Sequence, residues 1–473
     1  MSSPFNAQKY KELLEGLEVS EVMLSELEYS GRIDAEYYKP SFLKYELLIR
    51  EKGGIFLSQI SKFLIGPFGS AFTVDKYVEE KDYRYIRGKD IKAMKIMDDD
   101  NVYMSYKDFV RLSKYALKEN DILVSVVGSI GNSALVLKKD LPSIFSCKST
   151  VLRPHSINPK YLVVYLNTKY GKELLLRKER GAIQKGLNLD DLKNLEIYVP
   201  SHFFQKTIEK LFDNSLQKME QSKLLYSQAE ELLIESIGLK DYKPSEKGTN
   251  IKSFKESFGA AGRLDAAYYQ PKYEEIISII KEQSHDLLSN LVTIKKSIEP
   301  GSDVYSDEGL PFIRVSDYNK YGISMPDKCL SNSFCKENAK TLQSLYPTKE
   351  TILFSKDGSV GTACMMYENM QAITSAAILH LTVKDKAKIL PEYLTLVLNS
   401  IVVKQQADRD AGGSIILHWR VSEIEKVVVP IVDYKTQQQI ADLIRESFTL
   451  RRESEQLLAD AKDLVEREID RPS

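Results

Sequence analysis

From Phe203 onward, apolar side chains recur every three or four residues: Ile208, Leu211, Phe212, Leu216, Met219, Tyr226, Ala229, Leu233 and Ile237, with a weaker step at Ser222. The pattern returns near the C-terminus as Ile440, Leu443, Ile444, Ser447, Ser454, Leu458, Ala461 and Val465, with charged residues between. Neither stretch contains Pro or Gly, and the first stops at Gly238 with Pro244 just beyond, a usual way for a helix to end. The spacing predicts helices over 202–238 and 432–470, each about 37 residues or about 55 Å at about 1.5 Å per residue. An apolar stripe that long must be buried, and each helix is the obvious partner of the other, as an antiparallel, coiled-coil-like pair. A coiled-coil dimerisation arm is the alternative. Internal pairing would set the two globular parts at opposite ends of a rod.

Those globular parts, 20–201 and 250–431, mix periods. Short β-rich runs at 122–127 and 351–354 sit beside Gly-containing turns, while 159–175 and 391–403 are helical in period after a Pro start. The fold class predicted is α+β: two tandem globular domains separated by the long helices, with an N-terminal segment at 1–19 and a Lys/Pro/Ser/Gly-rich linker at 239–249. The two halves repeat each other. Gly31-Arg32-Ile33-Asp34-Ala35-Glu36-Tyr37-Tyr38-Lys39-Pro40 returns as Gly262-Arg263-Leu264-Asp265-Ala266-Ala267-Tyr268-Tyr269-Gln270-Pro271. Ile86, Arg87 and Asp90 answer Ile313, Arg314 and Asp317, and Gly128-Ser129-Ile130-Gly131 answers Gly358-Ser359-Val360-Gly361. A period of about 230 residues is a duplicated whole domain rather than a solenoid unit. Built-in pseudo-twofold symmetry suits a target with two separated half-sites.

Composition narrows the class. The 473 residues are 43% hydrophobic and 28% charged, ordinary for a soluble protein. No apolar run reaches the roughly 18 residues of a membrane span, and the N-terminus lacks a signal-like apolar stretch, so a cytoplasmic location is expected, with no membrane partner. Four cysteines without CxxC spacing and only five histidines argue against a metal site. The net charge of −1 gives no general attraction to nucleic acid, so any basic surface is local or supplied partly by partners.

Catalytic motifs are not found. Asn158-Pro159-Lys160-Tyr161 approaches the Asn/Asp-Pro-Pro-aromatic clamp of amino-methyltransferases, but its second Pro is Lys and its repeat partner begins with Leu390, so it reads as a helix start. The Gly-Ser-x-Gly turns lack the Lys-Ser/Thr ending of a nucleotide loop; they are tight turns or places where small residues approach a DNA phosphate. Asp98-Asp99-Asp100 has no counterpart in the second copy and reads as a solvated loop. More informative is 181–188, which aligns without gaps to 413–420 while its polar side chains change: Gln184, Lys185 and Asn188 against Ser414, His418, Trp419 and Arg420. Gln and Asn can pair twice with adenine and Arg with guanine, so a shared frame with different tips suits two copies reading different short sequences. Surface-loop drift is the bland alternative. With these tips, the candidate DNA contacts are Arg84, Arg87, Lys89, Gly128, Ser129 and Arg180 in the first copy, and Arg314, Lys356 and Ser359 in the second.

On the two Gly-Arg-x-Asp motifs, Gly66-Pro67-Phe68-Gly69-Ser70, the Gly-Ser-x-Gly turns, 181–188 and the long helices, in duplicated order, the chain resembles the specificity subunits of Type I restriction-modification systems over nearly its whole length. The second copy departs at Glu299-Pro300-Gly301-Ser302 and Leu417-His418-Trp419. The resemblance implies two target recognition domains reading the halves of a split sequence in double-stranded DNA. It implies no active site and no cofactor on this chain. Two modification subunits would bring S-adenosylmethionine chemistry on adenine, and restriction subunits would bring ATP and Mg. Candidate docking residues for such partners are Arg32, Asp34, Tyr37, Tyr38, Arg263, Asp265, Tyr268 and Tyr269. Two readings from other classes stay open at this point: a stand-alone DNA-modifying enzyme with an unrecognised site, and a coiled-coil protein scaffold.

Overall fold

A computed structural model describes residues 6–181 and 185–472. Two compact units divide the chain, Met1–Lys218 with Glu453–Ser473, and Met219–Arg452. Each unit takes a piece of both long helices. Those helices run His202–Ser236 and Tyr434–Asp470, 35 and 37 residues. Gly238 closes the first with a φ of +72°, a conformation open to glycine without strain. Among the described residues no helix is long and apolar enough to cross a membrane.

The first unit is built around an antiparallel four-stranded sheet in the order Ser61–Ile65, Ser149–Pro154, Ile122–Ser125, Ser133–Leu135. Its strand Ile122–Ser125 is buried on both faces, which is why the sequence there is a continuous apolar run rather than an alternation. Ile122 and Val124 face a core shared with the helices Pro159–Leu166 and Lys169–Arg177, while Leu123 faces a second core with Ile86, Phe145 and Val151. Behind that second core lies a small sheet in the order Val102–Met104, Tyr83–Ile86, Ser143–Phe145. Helix layer, sheet and small sheet make the unit α+β.

The second unit repeats this plan. Its central sheet has the order Val292–Lys296, Ile378–Val383, Ile352–Ser355, Ala363–Met365, again antiparallel. Ile352 and Phe354 face the helical core with Tyr393, Leu394 and Val397, and Leu353 faces Ile313, Cys364 and Ile378.

Matching contacts fasten the long helices to their units. Asn158 caps its helix by accepting from the Lys160 and Tyr161 amides, so this segment is the helix start its sequence indicated. The Asn158 N–H in turn donates to Gln205 at 3.0 Å, and the Leu390 N–H donates to Gln437 at 3.0 Å. Tyr161 donates to the Tyr198 carbonyl at 2.8 Å as Tyr393 does to Pro430 at 3.0 Å. In the first unit Ser215 and Ser454 share a buried hydroxyl contact at 2.9 Å and Lys218 reaches Glu453. One number rises as its partner falls, so the helix segments there run antiparallel. In the second unit Ser222 and Ser447 meet at 3.1 Å, and the apparent weak step at Ser222 is a fully buried polar contact.

Candidate nucleic-acid interface

Three strand ends converge at one edge of the first unit's central sheet. Ser125, last in its strand, pairs with Ser149, first in its own, and Thr150 pairs with Ile65, last of a third. The connections leaving this edge are therefore neighbours. Gly66 presses so closely on the chain that a Cβ there would lie 2.4 Å from the Ser146 carbonyl oxygen, which holds Gly66-Pro67-Phe68-Gly69-Ser70 against residues 146–148. Phe68 projects from this loop 83% exposed. The Val126 N–H donates to Lys148, and the turn at Gly128-Ser129-Ile130-Gly131 closes through the Gly131 N–H on the Ser125 carbonyl, leaving Gly128 and Ser129 exposed. Gly128 and Gly131 have φ of +88° and +81°, so the turn depends on glycine.

The variable tip docks on that same turn. Arg180 and Gly186 exchange backbone hydrogen bonds of 2.9 and 2.8 Å, and the Leu187 N–H donates to Val126 at 2.9 Å. In the second unit Gly412 and His418 exchange bonds of 3.0 and 2.7 Å, and the Trp419 N–H donates to Lys356 at 2.8 Å. A bridge also joins Val127 to Gly186 in one unit and Asp357 to His418 in the other. The structure thus brings the Gly-Ser-x-Gly turn and the variable tip together twice, on the gap-free alignment, although they are some 50 residues apart in sequence.

Side chains on this frame differ. Lys185 is exposed and pairs with Glu179 at 2.8 Å, a bond that raises its pKa, and Asn188 is exposed with no capping bond to its helix. Gln184 lies outside the described residues. Arg180 is held by both oxygens of Asp191 at 2.7 and 2.9 Å. In the second unit Ser359 and Ser414 are exposed, His418 bonds Asp357 through Nδ1 at 2.9 Å, and Lys356 is ion-paired to the same Asp357. Arg420 is the most open cation, its side chain 80% exposed with Glu423 at 3.9 Å.

Nearby cations are likewise paired. Arg87 grips Asp90 at 2.9 Å; burial disfavours its charge, but the Asp90 bond and the Asp90 and Asp100 charges outweigh this and raise its pKa. Lys89 meets Asp100 at 2.8 Å, and Arg314 meets Asp317 at 3.1 Å and Asp327 at 3.4 Å. This pairing reconciles local basic groups with a net charge of −1. The Lys89–Asp100 pair is exposed on both sides and is worth only about 0–1 kcal/mol, so a phosphate would compete readily for Lys89, whereas Asp90 and Asp317 are buried and hold their arginines more firmly.

Two candidates are corrected by burial. Arg84 points inward from its strand, ion-paired to buried Asp140 at 3.3 Å and bonded to the Met97 carbonyl, and is 7% exposed. Trp419 is 1% exposed and packs on Phe354. Its repeat partner Leu187 is also buried, and that apolar equivalence was the available signal. The docking candidates are corrected in the first unit as well. Arg32, Tyr37 and Tyr38 are buried: Arg32 binds Asp34 and the Glu179 carbonyl and stacks on Tyr37 at 4.5 Å, with Arg177 also over that ring at 4.2 Å. The motif pins its segment to the helix Lys169–Arg177. Arg263, Asp265, Tyr268 and Tyr269 make the matching contacts, Arg263 reaching the Asp410 carbonyl at 3.3 Å, but remain partly exposed, as does Asp34. The Arg hydrogen bonds hold Asp34 and Asp265 below the usual carboxylate pKa.

A family model for the Type I restriction modification DNA specificity domain matches residues 55–230 and 288–457, one segment in each copy. The chain belongs to that family. It is 30% identical over 101 residues to the Type I restriction enzyme EcoBI specificity subunit of Escherichia coli, an alignment spanning 20% of this chain and 21% of that protein. Among solved structures it is similar to the Type I restriction-modification S subunit from M. genitalium, at 15% identity over 89% of this chain and 96% of that one, with a TM-score of 0.41. The HsdS subunit from Thermoanaerobacter tengcongensis matches at 14% identity over 88% and 95% of the two chains, with a TM-score of 0.28. Within this specificity-family chain, sequence reasoning missed Phe68 and the apolar run Ile415-Ile416-Leu417 as surface features. Nothing in an apolar residue's identity marks it as exposed, and only the alignment of that run with the polar stretch of the first copy hinted at it.

Proposed function

We propose that this chain is the non-catalytic DNA-reading component of a Type I restriction-modification assembly and that each unit reads one half of an asymmetric, interrupted sequence. The observation that carries the reading is the backbone bridge that recurs at 180·186 and 412·418 and presents different side chains on an otherwise shared frame. Family membership over both copies supports DNA as the target. Exposed turns at Gly128 and Gly358 offer backbone to phosphates, while the tips offer side chains to base edges, the usual division between positioning and specifying contacts.

Modification subunits would supply methyl transfer from S-adenosylmethionine to adenine, and restriction subunits would supply ATP- and Mg-dependent cleavage; two modification subunits match two copies. The assembly would work in the cytoplasm on the cell's own DNA. The test is a domain exchange: residues 20–201 are replaced by the corresponding part of another specificity chain, and adenine methylation is mapped across the genome. One half of the methylated sequence should change while the other stays. Changes in both halves, or methylation by the purified chain alone, would overturn the proposal.

A further inference from the structure

The tip of the second unit carries three adjacent apolar side chains in water. Ile415 is 95% exposed, Ile416 54% and Leu417 40%. An exposed apolar run of this length is unfavourable for solubility unless it has a use. This one cannot fold away into the core, because its backbone is clamped at both ends. Gly412 and His418 close the loop by exchanging hydrogen bonds, and the Gly358 N–H donates to the Leu417 carbonyl at 2.9 Å. Inside the clamp Gly413 has a φ of +136°, and a Cβ there would lie 2.0 Å from the Ile416 carbonyl oxygen, so the tight crossing admits only glycine. Flanking the apolar run are His418, its side chain 64% exposed, and Arg420.

Base edges offer such a tip one apolar feature in the major groove, the C5-methyl of thymine. Aliphatic side chains lack a flat face for stacking on a base, yet they pack well on a methyl group. The first unit's frame holds Lys185 where this one holds Leu417, so the two tips differ in chemistry as well as in sequence. We propose that Ile415 and Ile416 read thymine methyl groups, which makes the second unit's half-site methyl-dependent at one or more A·T pairs. The inference rests on the proposal that this sheet edge meets DNA and names what it reads there.

The experiment uses the full chain assembled with its modification subunits and a duplex carrying the mapped target. Each thymine of the second unit's half-site is replaced in turn by deoxyuridine, which deletes the methyl and nothing else. Binding should weaken about fourfold per contacted methyl, the size expected for one buried carbon group. The same replacements in the first half-site serve as the reference. In an Ile415→Ser/Ile416→Ser complex the difference between thymine and uracil should vanish, while an unchanged melting temperature shows that the exposed substitutions leave the fold intact. Sequence-specific binding that ignores every deoxyuridine, or a half-site without A·T pairs, overturns methyl reading and leaves the DNA-reading proposal standing. Serine variants that fail to assemble with modification subunits would make the tip a protein contact and also overturn it. Loss of all sequence preference in the unaltered complex would overturn the underlying reading instead.

Discussion

The side-chain oxygen of Gln437 accepts the backbone N–H of Leu390 at 3.0 Å, while its amide nitrogen donates to the Val432 carbonyl at 2.9 Å. Gln205 does the same for Asn158 and Pro200. A single glutamine near the start of each long helix thus bonds main-chain groups of the globular part, and Gln437 also donates to the Lys388 carbonyl at 3.2 Å. Gln437 is 1% exposed. Gln437→Leu should therefore destabilise the chain by about 1–3 kcal/mol, the range for leaving a buried polar group unpaired, read as a lower urea midpoint. An unchanged midpoint would show that water replaces it.

The buried serines make a second measurable contact. Ser447 Oγ donates to the Ser222 carbonyl at 2.7 Å and meets Ser222 Oγ at 3.1 Å. Alanine at both positions should cost less than the sum of the two single changes, with a coupling of about 0.5–1.5 kcal/mol in a double-mutant cycle. Strict additivity would mean the hydroxyls do not depend on each other.

His380 is buried beside Thr374, which it contacts through Nε2 at 2.9 Å, and burial, with a smaller effect of the Lys295 charge, pushes its pKa down from 6.5 to about 4. The folded state therefore binds this proton less readily than the unfolded state does. Its stabilising contribution is fully present above pH 6.5 and is lost as pH falls toward 4, to an extent on the order of 3 kcal/mol. Unfolding free energy measured across that window should rise with pH more steeply in the wild type than in His380→Gln. Parallel curves would remove His380 as the cause.

The Arg32 network predicts a local effect. Arg32→Ala removes the contacts to Asp34, to the Glu179 carbonyl and to the Tyr37 ring, and should speed amide exchange at residues 33–38 with little change in the sheet. Uniform acceleration throughout the unit would show that the motif supports the whole fold.

Lys89 and Arg420 would separate the two kinds of DNA contact proposed for this edge. Lys89→Ala should lower the salt dependence of binding by about one counterion without altering base preference. Arg420→Ala should relax preference at one base position, by about 1–3 kcal/mol if the contact is bidentate. Equal weakening across all sequences would assign Arg420 to a phosphate.

The fold elements were legible wherever the physics is periodic or repeated. The stripe from Ile208 to Ile237, the apolar run at Ile122–Ser125 and the Pro159 and Pro391 helix starts each follow from spacing and backbone limits. The nearly constant offset between copies even carried the register of the tips. Side-chain direction was not legible. Arg84 and Arg87 lie three residues apart, yet one points inward from the strand Tyr83–Ile86 and is sealed against Asp140, while the other lies past the strand's end, where it caps the turn at Gly88–Asp90 and meets Asp90. Pairing between polar side chains apart in sequence, as in Arg180 with Asp191 or His418 with Asp357, depends on loop closure that no local pattern encodes. The same holds for the division into units, because a continuous helical stripe does not reveal where along its length the packing changes.

The clamp at Gly412 and His418 works through main-chain atoms, and none of the five residues it encloses is buried in the core. Inherited substitutions at Ser414, Ile415 and Ile416 are therefore free to accumulate without a compensating change elsewhere. If the loop reads bases as proposed, a lineage would acquire new target preferences there in single steps, and Gly413, where a Cβ would meet the Ile416 carbonyl oxygen at 2.0 Å, is the position where such drift is forbidden.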